Sequence, residues 1–137
     1  MPTTHDHLMD EDEFLTWCLS QERKYELVDG IPVEMMAGAS GRHDLILTNI
    51  IALLKTKLRG SRCRPTTADI ALKTRSRVMR RPDVTVTCDP PRPDVYDARE
   101  PRMVVEVLSP SNVGVRWDRK LDEYRRHKAL DYILLVD

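Results

Sequence analysis

Two carboxylates and a lysine stand out between Arg81 and Lys120, because their types and order could serve phosphodiester chemistry. Asp83 precedes a run of β-branched residues, Glu106 interrupts an almost wholly apolar run, and Lys120 lies on the polar segment that follows. Carboxylates that converge can hold a divalent metal ion, and an ammonium beside them can orient a water molecule. This spacing therefore indicates a metal-assisted hydrolytic site.

Glu106 is the most informative of these residues. The run from Met103 to Leu108 is typical of a central strand that is buried on both faces. An ionised carboxylate in such a strand is costly unless it is paired or binds a metal. A functional carboxylate and a salt bridge to one of the many arginines are both consistent with the pattern.

Lys120 belongs to a helix predicted from about residue 113 to 128. The buried stripe of that helix comprises Val113, Trp117, Leu121 and Tyr124. Lys120 lies about 60° from Trp117 around the helix axis, at the edge of the stripe. Its stem can follow the core while the ammonium reaches the sheet. A surface lysine is the alternative, and helix geometry alone favours it.

A hairpin is predicted around Asp29-Gly30, because strand-like runs at 24–28 and 31–36 flank a dipeptide that accepts positive φ. In the first strand Glu26 points away from Tyr25 and Leu27, so Glu26 could reach a metal site. By itself it is more typical of a surface or pairing carboxylate.

His43 begins the apolar stripe of a second helix, predicted over 42–58. The stripe continues through Leu47, Ile50, Leu54 and Leu58, and is broadened by Ile46, Ile51 and Leu53. A histidine in this position is usually partly buried and satisfied, and a role facing the site is the less common case.

The remaining pattern predicts a loose tail over 1–9, a short amphipathic helix with acidic residues 10–13 in its first turn, and a strand from Cys63 to Lys73. A basic turn at 74–77, a strand at 84–87, a proline-rich loop at 89–101 and a buried strand at 132–136 follow. A buried strand next to residue 137 leads us to expect one or two further elements in the natural domain.

Composition is that of one ordinary globular domain of 137 residues, with no apolar run near the ~18 residues that cross a bilayer and no signal peptide. The three cysteines, Cys18, Cys63 and Cys88, argue against a disulfide framework or a zinc site. They indicate a reducing, cytoplasmic location.

The net charge is zero, but positive charge is concentrated between residues 55 and 81. Asp69 is the only acid in that stretch, which holds ten basic residues: Lys55, Lys57, Arg59, Arg62, Arg64, Lys73, Arg75, Arg77, Arg80 and Arg81. Such an excess could steer a polyanion toward Asp83. A solvated basic face explains it equally well.

Several short motifs, taken in order, are similar to those of a known family. They are 25–30 (Tyr-Glu-Leu-Val-Asp-Gly), His43, 81–84 (Arg-Pro-Asp-Val), 105–111 (Val-Glu-Val-Leu-Ser-Pro-Ser), Lys120…Tyr124 and 132–137. Over residues 12–137 the chain resembles the Uma-type family of bacterial restriction endonucleases, within the PD-(D/E)XK nuclease superfamily.

This resemblance implies roles for individual residues. Asp83 and Glu106 would be the metal-binding carboxylates, and the main-chain carbonyl of Val107 would supply a further ligand. The superfamily places a lysine two residues after the second acid, where this chain has Leu108. In this family the lysine has moved to the following helix, which implies Lys120.

Glu26 and His43 match other characteristic positions of the family, as accessory residues of unassigned role. The implied fold is α/β and restriction-endonuclease-like, with a mixed central β-sheet flanked by helices.

The implied function is hydrolysis of phosphodiester bonds in DNA, with Mg²⁺, or Mn²⁺ in its place, as cofactor. Nucleic acid would be the partner and no membrane would be involved. A homodimer is expected, because cutting two strands needs two sites. A catalytically inactive nucleic-acid-binding or regulatory module on the same fold is the alternative. A third interpretation is an assembly protein with a structural Glu106–arginine pair.

Overall fold

Helices flank two small sheets in the computed structural model, which describes residues 7–35, 40–108 and 116–137. The elements within these ranges are α1 (Glu11–Cys18), β1 (Tyr25–Val28), β2 (Ile31–Glu34), α2 (Gly41–Lys57), β3 (Arg64–Thr66), β4 (Leu72–Arg75), β5 (Val78–Arg80), β6 (Val84–Thr87), β7 (Pro101–Val107), α3 (Trp117–Arg126) and β8 (Tyr132–Val136).

The strands form two four-stranded sheets, ordered β2-β1-β5-β4 and β3-β6-β7-β8. All pairs are antiparallel except β7 and β8, which run parallel. The predicted α/β class with a mixed sheet is confirmed. The strands are divided between two sheets, however, and only the one that contains β6 and β7 is mixed.

The N-terminal elements follow local sequence signals. Helix α1 begins with the predicted acidic first turn, and Asp10 caps it through a capping box with Glu13, which was not predicted. The hairpin turn has positive φ at Asp29 and Gly30, 52° and 81°, which confirms that prediction. A Cβ on Gly30 would lie 2.6 Å from Cβ of Leu8, so glycine is needed there for space as well as for φ.

The predicted tail over 1–9 is wrong for its last residues. Met9 is buried in the core cluster of α1, and its amide donates to the Gly30 carbonyl at 2.9 Å. Residues 1–6, Met36 of the predicted second hairpin strand, and residues 109–115, with Val113, lie outside the described ranges.

The single strand predicted from Cys63 to Lys73 is wrong. Its two halves form β3 and β4 in different sheets, and the chain changes sheets where Ala71 bonds to the 96–98 segment. The predicted basic turn also partly belongs to β4. The turn is tighter than expected, with Arg77 at φ 58°, and leads into β5, which the sequence pattern did not reveal.

Helix α2 covers one face of β6 and β7. Val84, Val105 and Val107 form a buried cluster against the helix, whose contributing side chains are Ile46, Leu47, Ile50, Ile51 and Leu54. The predicted stripe is confirmed apart from Leu53, which is 55% exposed, and Leu58, which caps the end of the helix outside this cluster.

Strand β8 is not the buried strand that its sequence predicts. It pairs with β7 at the edge of its sheet in the described part of the chain, and Tyr132, Leu134 and Leu135 are exposed. The apolar run therefore marks a strand without marking a buried one.

The prediction that the cysteines form no disulfide is also wrong, because Cys63 is bonded to Cys88 while Cys18 is free. The register of β3 with β6 pairs Arg64 with Thr87 and so carries the two flanking cysteines together. Their 25-residue separation gives no such signal in the sequence. The cysteine count therefore no longer argues for a reducing compartment. Among the described residues, no helix is long and apolar enough to cross a membrane.

Candidate active site

The two predicted metal-binding carboxylates lie on neighbouring strands. Val84 pairs with Val105 in the β6–β7 ladder, which sets Asp83 beside Glu106. The Asp83 amide donates to Oε1 of Glu106 at 3.0 Å, and the Val107 amide donates to Oδ2 of Asp83 at 2.7 Å. These reciprocal hydrogen bonds hold both carboxylates at the same end of the strand pair.

Glu106 is only 4% exposed, although it carries a carboxylate. The Tyr124 hydroxyl donates to Oε2 at 3.0 Å. Burial raises the pKa of Glu106 to about 7, against the charge of Lys120, which lowers it. The charge of Asp83 adds to the rise. Glu106 therefore binds a proton or a cation readily near neutral pH.

Lys120 turns into the molecule, which excludes the surface-lysine alternative. Its Nζ lies 3.7 Å from Oε2 of Glu106 and 3.5 Å from Oε2 of Glu26. The ammonium is also 5.3 Å from the centroid of the Trp117 ring. Among the described residues, the cationic partner of Glu106 is therefore Lys120. The structural Glu106–arginine pair of the third interpretation is not found among them.

His43, at the start of α2, faces the same carboxylates. Its Nε2 lies 3.4 Å from Oδ2 of Asp83, and its amide donates to the capping Ser40 hydroxyl at 3.1 Å. Nδ1 is buried and has no hydrogen-bond partner within the described ranges. The less common, site-facing case therefore applies to this histidine.

Glu26 is buried rather than on the surface, which corrects the favoured interpretation of that residue. Its Oε2 accepts the Arg81 amide at 2.8 Å, and its Oε1 lies 3.3 Å from Nη1 of Arg80. With the Lys120 ammonium beside its Oε2, Glu26 adjoins the site through that lysine.

Arg80 and Glu123, next to the site, were not singled out from the sequence, and Tyr124 was named there only in the buried stripe and the family motif of its helix. Glu123 is 1% exposed and receives both Nε and Nη2 of Arg80 at 2.8 Å. A usable signal existed, because Glu123 and Tyr124 follow Lys120 by three and four residues and so share its helix face. No sequence signal distinguishes Arg80, because it is one of ten basic residues between positions 55 and 81.

That basic run contributes less external charge than its composition indicates. Arg80 and Arg81 are buried, and the Arg81 side chain donates to the carbonyls of Tyr25 and Asp69. Lys73 is paired with Glu11. A steering surface built from the whole run is therefore not available, although several of its other basic side chains remain exposed.

The donor set at the site fits Mg²⁺ better than a softer metal. No cluster of three or more His, Cys, Asp or Glu side chains able to hold a metal occurs in the described residues. Mg²⁺ needs fewer, because it keeps several waters and binds through one or two carboxylates. Asp83 and Glu106 would hold it, each oxygen having a second lone pair beyond its hydrogen bond. The Asp83 side chain is 23% exposed, which leaves a path from solvent.

The fold and these side chains define a restriction-endonuclease-like α/β protein. Comparison with family models matches residues 11–137 to Uma2, described as "Putative restriction endonuclease". The chain belongs to the Uma2 family.

Two individual proteins are similar to this chain. The chain is 33% identical over 127 residues to "Uncharacterized protein slr1290" of Synechocystis sp. (strain ATCC 27184 / PCC 6803 / Kazusa), covering 91% of this chain and 66% of that protein. It thus spans slightly less than two thirds of the relative. A crystal structure from Anabaena variabilis ATCC 29413, described as "a putative nuclease belonging to DUF820", shares the fold with a TM-score of 0.67. That match has 18% identity and covers 90% of this chain and 74% of the other.

Proposed function

We propose that this protein is a metal-dependent endonuclease that hydrolyses phosphodiester bonds of DNA with Mg²⁺, or Mn²⁺ in its place. Family membership and the nuclease-like fold support a nuclease. The single observation that carries the proposal is the meeting of three side chains from three elements. Asp83 and Glu106 are bridged by hydrogen bonds, and the Lys120 ammonium lies 3.7 Å from Glu106.

In this proposal the protein orients the reactants with a small set of contacts. Asp83 and Glu106, with the Val107 carbonyl, would hold the metal. When bound, the metal would supply an activated water and neutralise charge on the phosphate. Lys120 would orient the attacking water or stabilise the negative charge that develops in the transition state.

The neighbours of the carboxylates keep them in place. The Tyr124 hydroxyl and the Asp83 amide orient Glu106, and the Val107 amide and His43 orient Asp83. Such supporting contacts commonly matter 10–100-fold at metal sites, as an order of magnitude. No step requires a serine or cysteine nucleophile. We further propose a homodimer, in which two such sites cut the two strands.

A catalytically inactive nucleic-acid-binding module remains the second candidate. It is favoured by Leu108, which stands where the superfamily has its lysine. In that case the buried Glu106–Lys120 pair would serve the stability of the fold alone.

Cleavage of supercoiled plasmid tests the proposal. Wild type is compared with Asp83→Ala, Lys120→Ala and the control Asp122→Asn, in Mg²⁺, in Mn²⁺ and in chelator. Asp122 is exposed and pairs with Arg126, on the side of α3 away from the buried Lys120, Glu123 and Tyr124. Nicking that needs metal and is lost only in the first two variants supports the nuclease. Binding of metal and DNA without cleavage supports the inactive module instead. Absence of metal binding contradicts both the cofactor and the mechanism.

A further inference from the structure

Arg80 connects two buried carboxylates that belong to different parts of the chain. Its Nε and Nη2 each lie 2.8 Å from an oxygen of Glu123 on α3, and its Nη1 lies 3.3 Å from Oε1 of Glu26 on β1. Arg80, Glu26 and Glu123 are 6%, 7% and 1% exposed. A planar guanidinium suits this arrangement, because its donors diverge in a fixed fork.

Both carboxylates that Arg80 holds are also neighbours of Lys120. Glu123 follows Lys120 by three residues and therefore lies on the same face of α3. The second oxygen of Glu26 is 3.5 Å from Nζ of Lys120. Arg80 thus contacts both α3, which carries Lys120, and Glu26, which competes with Glu106 for the Lys120 ammonium.

That competition decides where the lysine charge lies. Lys120 is placed between Glu26 and Glu106, at 3.5 and 3.7 Å. Arg80 neutralises part of the Glu26 charge, which leaves the ammonium free to remain close to Glu106. Without Arg80 the buried Glu26 would have Lys120 as its nearest cationic side chain, and buried carboxylates bind such partners strongly.

Glu123 is fixed from other directions as well. Thr74 donates to its Oε1 at 2.8 Å, and Nε of Arg119 lies 3.1 Å from its Oε2. Burial alone would raise the pKa of Glu123, but the hydrogen bonds from Arg80 and Thr74 outweigh it and the pKa is lowered. The carboxylate is therefore a fixed, ionised point to which Arg80 can hold α3.

We propose that Arg80 is a positioning residue, which through Glu123 and Glu26 keeps the Lys120 ammonium against Glu106. The kinetic consequence of this arrangement rests on the proposed nuclease function. The placement of the lysine itself does not, so the two can fail separately.

Labelling of lysine amines tests the placement without any activity. The folded protein is treated with acetic anhydride, and the modification rate of Lys120 is measured by mass spectrometry relative to the exposed Lys128. The variants are Glu123→Gln, Arg80→Lys and the matched control Asp122→Asn, which loses an exposed ion pair from the same helix. Arg80→Lys keeps the charge but cannot bridge two carboxylates.

We expect Lys120 to be labelled about tenfold faster in Glu123→Gln and Arg80→Lys, because the local opening of α3 becomes easier, and at the wild-type rate in Asp122→Asn. Unchanged protection of Lys120 in both folded variants would overturn the proposal. So would global unfolding of both variants, since Arg80 would then hold the fold as a whole.

Cleavage kinetics provide the second readout. A positioning role lowers kcat for both variants by about tenfold or more with KM unchanged, because misplacement of a reacting group by a fraction of an ångström affects the transition state. A rise in KM at constant kcat would contradict it. If wild type does not cleave at all, the proposed function fails. The labelling result still shows whether Arg80 positions Lys120.

Discussion

The two faces of the β6–β7 strand pair differ in the side chains that they bury: one buries valines beneath α2, and the other also buries charged groups. On one face Val84, Val105 and Val107 pack against the aliphatic side chains of α2. On the other face Glu106 is contacted by Tyr124 and Lys120 of α3, while Asp83 is contacted by His43 at the start of α2. Val104 lies on the same face of β7 as Glu106 and packs in a buried apolar cluster with Leu72, Ala98 and Tyr124. Val105 and Glu106 are adjacent in sequence, and the pleat alone sends them to opposite faces.

The comparison separates what stabilises the fold from what could do chemistry. The apolar face gains free energy from removal of hydrocarbon from water, at about 25 cal/mol per Å². The carboxylates on the other face cost free energy, since a buried carboxylate is kept only by hydrogen bonds and opposite charge. A substitution in the valine cluster under α2 should therefore affect mainly stability, and one of the site carboxylates should affect mainly activity.

The largest expected effect is on cleavage by Glu106→Gln. The substitution keeps the shape of the side chain but removes the charge that would hold the metal, so we expect a loss of about 10³-fold in rate. Steady-state plasmid nicking measures it. Asp122→Asn, an exposed acid on α3, is the control and should cleave like wild type. Comparable activity in both variants would remove Glu106 from the site.

The second effect is on the pH dependence of stability in the absence of metal. Because burial raises the pKa of Glu106 to about 7 from an ordinary 4.5, the folded state keeps a proton that the unfolded chain loses. The free energy of unfolding should thus fall as pH rises from about 4.5 to about 7, by about 3 kcal/mol in total.

Urea denaturation of wild type and Glu106→Gln at a series of pH values isolates this contribution. The difference between the two proteins should change across that window and be level above and below it. Added Mg²⁺ should stabilise wild type more at pH 8 than at pH 6, because it replaces the proton. A difference that does not vary with pH would show that Glu106 is not perturbed.

The third effect is on stability through the apolar face. Val105→Ala leaves a cavity under α2 and should lower the free energy of unfolding by about 2 kcal/mol, with the activity of the folded protein close to wild type. Val33→Ala, on the exposed strand β2, removes the same atoms from a side chain that is 46% exposed and serves as control. Equal destabilisation by the two would break the contrast between the faces.

The smallest effect on stability is expected at Thr85, which is fully buried on the same face of the β6 strand as Asp83. Its hydroxyl has no hydrogen-bond partner within the described ranges. Thr85→Val should therefore raise the free energy of unfolding by about 1 kcal/mol.

Thr66→Val is the matched control, because the Thr66 hydroxyl donates to the Thr85 carbonyl at 2.8 Å. Chemical denaturation should show the opposite sign for that variant, a loss of about 1 kcal/mol. The same sign for both would mean that the Thr85 hydroxyl is satisfied in solution.

Elements with local signals were predictable from the chain. The Asp29-Gly30 turn, the acidic start of α1 and the apolar stripe of α2 depend on residues within about four positions of one another. The family pattern named Asp83, Glu106 and Lys120, which the structure brings together, although their roles remain predictions.

Long-range pairing was not predictable by the same means. The division of residues 63–73 between two sheets, the Cys63–Cys88 bond and the exposed β8 depend on which strands become neighbours. Propensity and periodicity describe single strands and say nothing of that choice. For the same reason, the composition of the basic run did not show that Arg80 and Arg81 are buried and that Lys73 pairs with Glu11.

The sequence by itself determined the turns, the caps, the helical stripe and the types of side chain that a metal site would need, because those depend on neighbours along the chain. Tertiary structure alone decided that Arg80 meets Glu123 and Glu26, which lie 43 and 54 residues away. These three side chains are buried, and a buried charge is stable only when opposite charges from other elements lie beside it. Their position is therefore a property of the assembled fold.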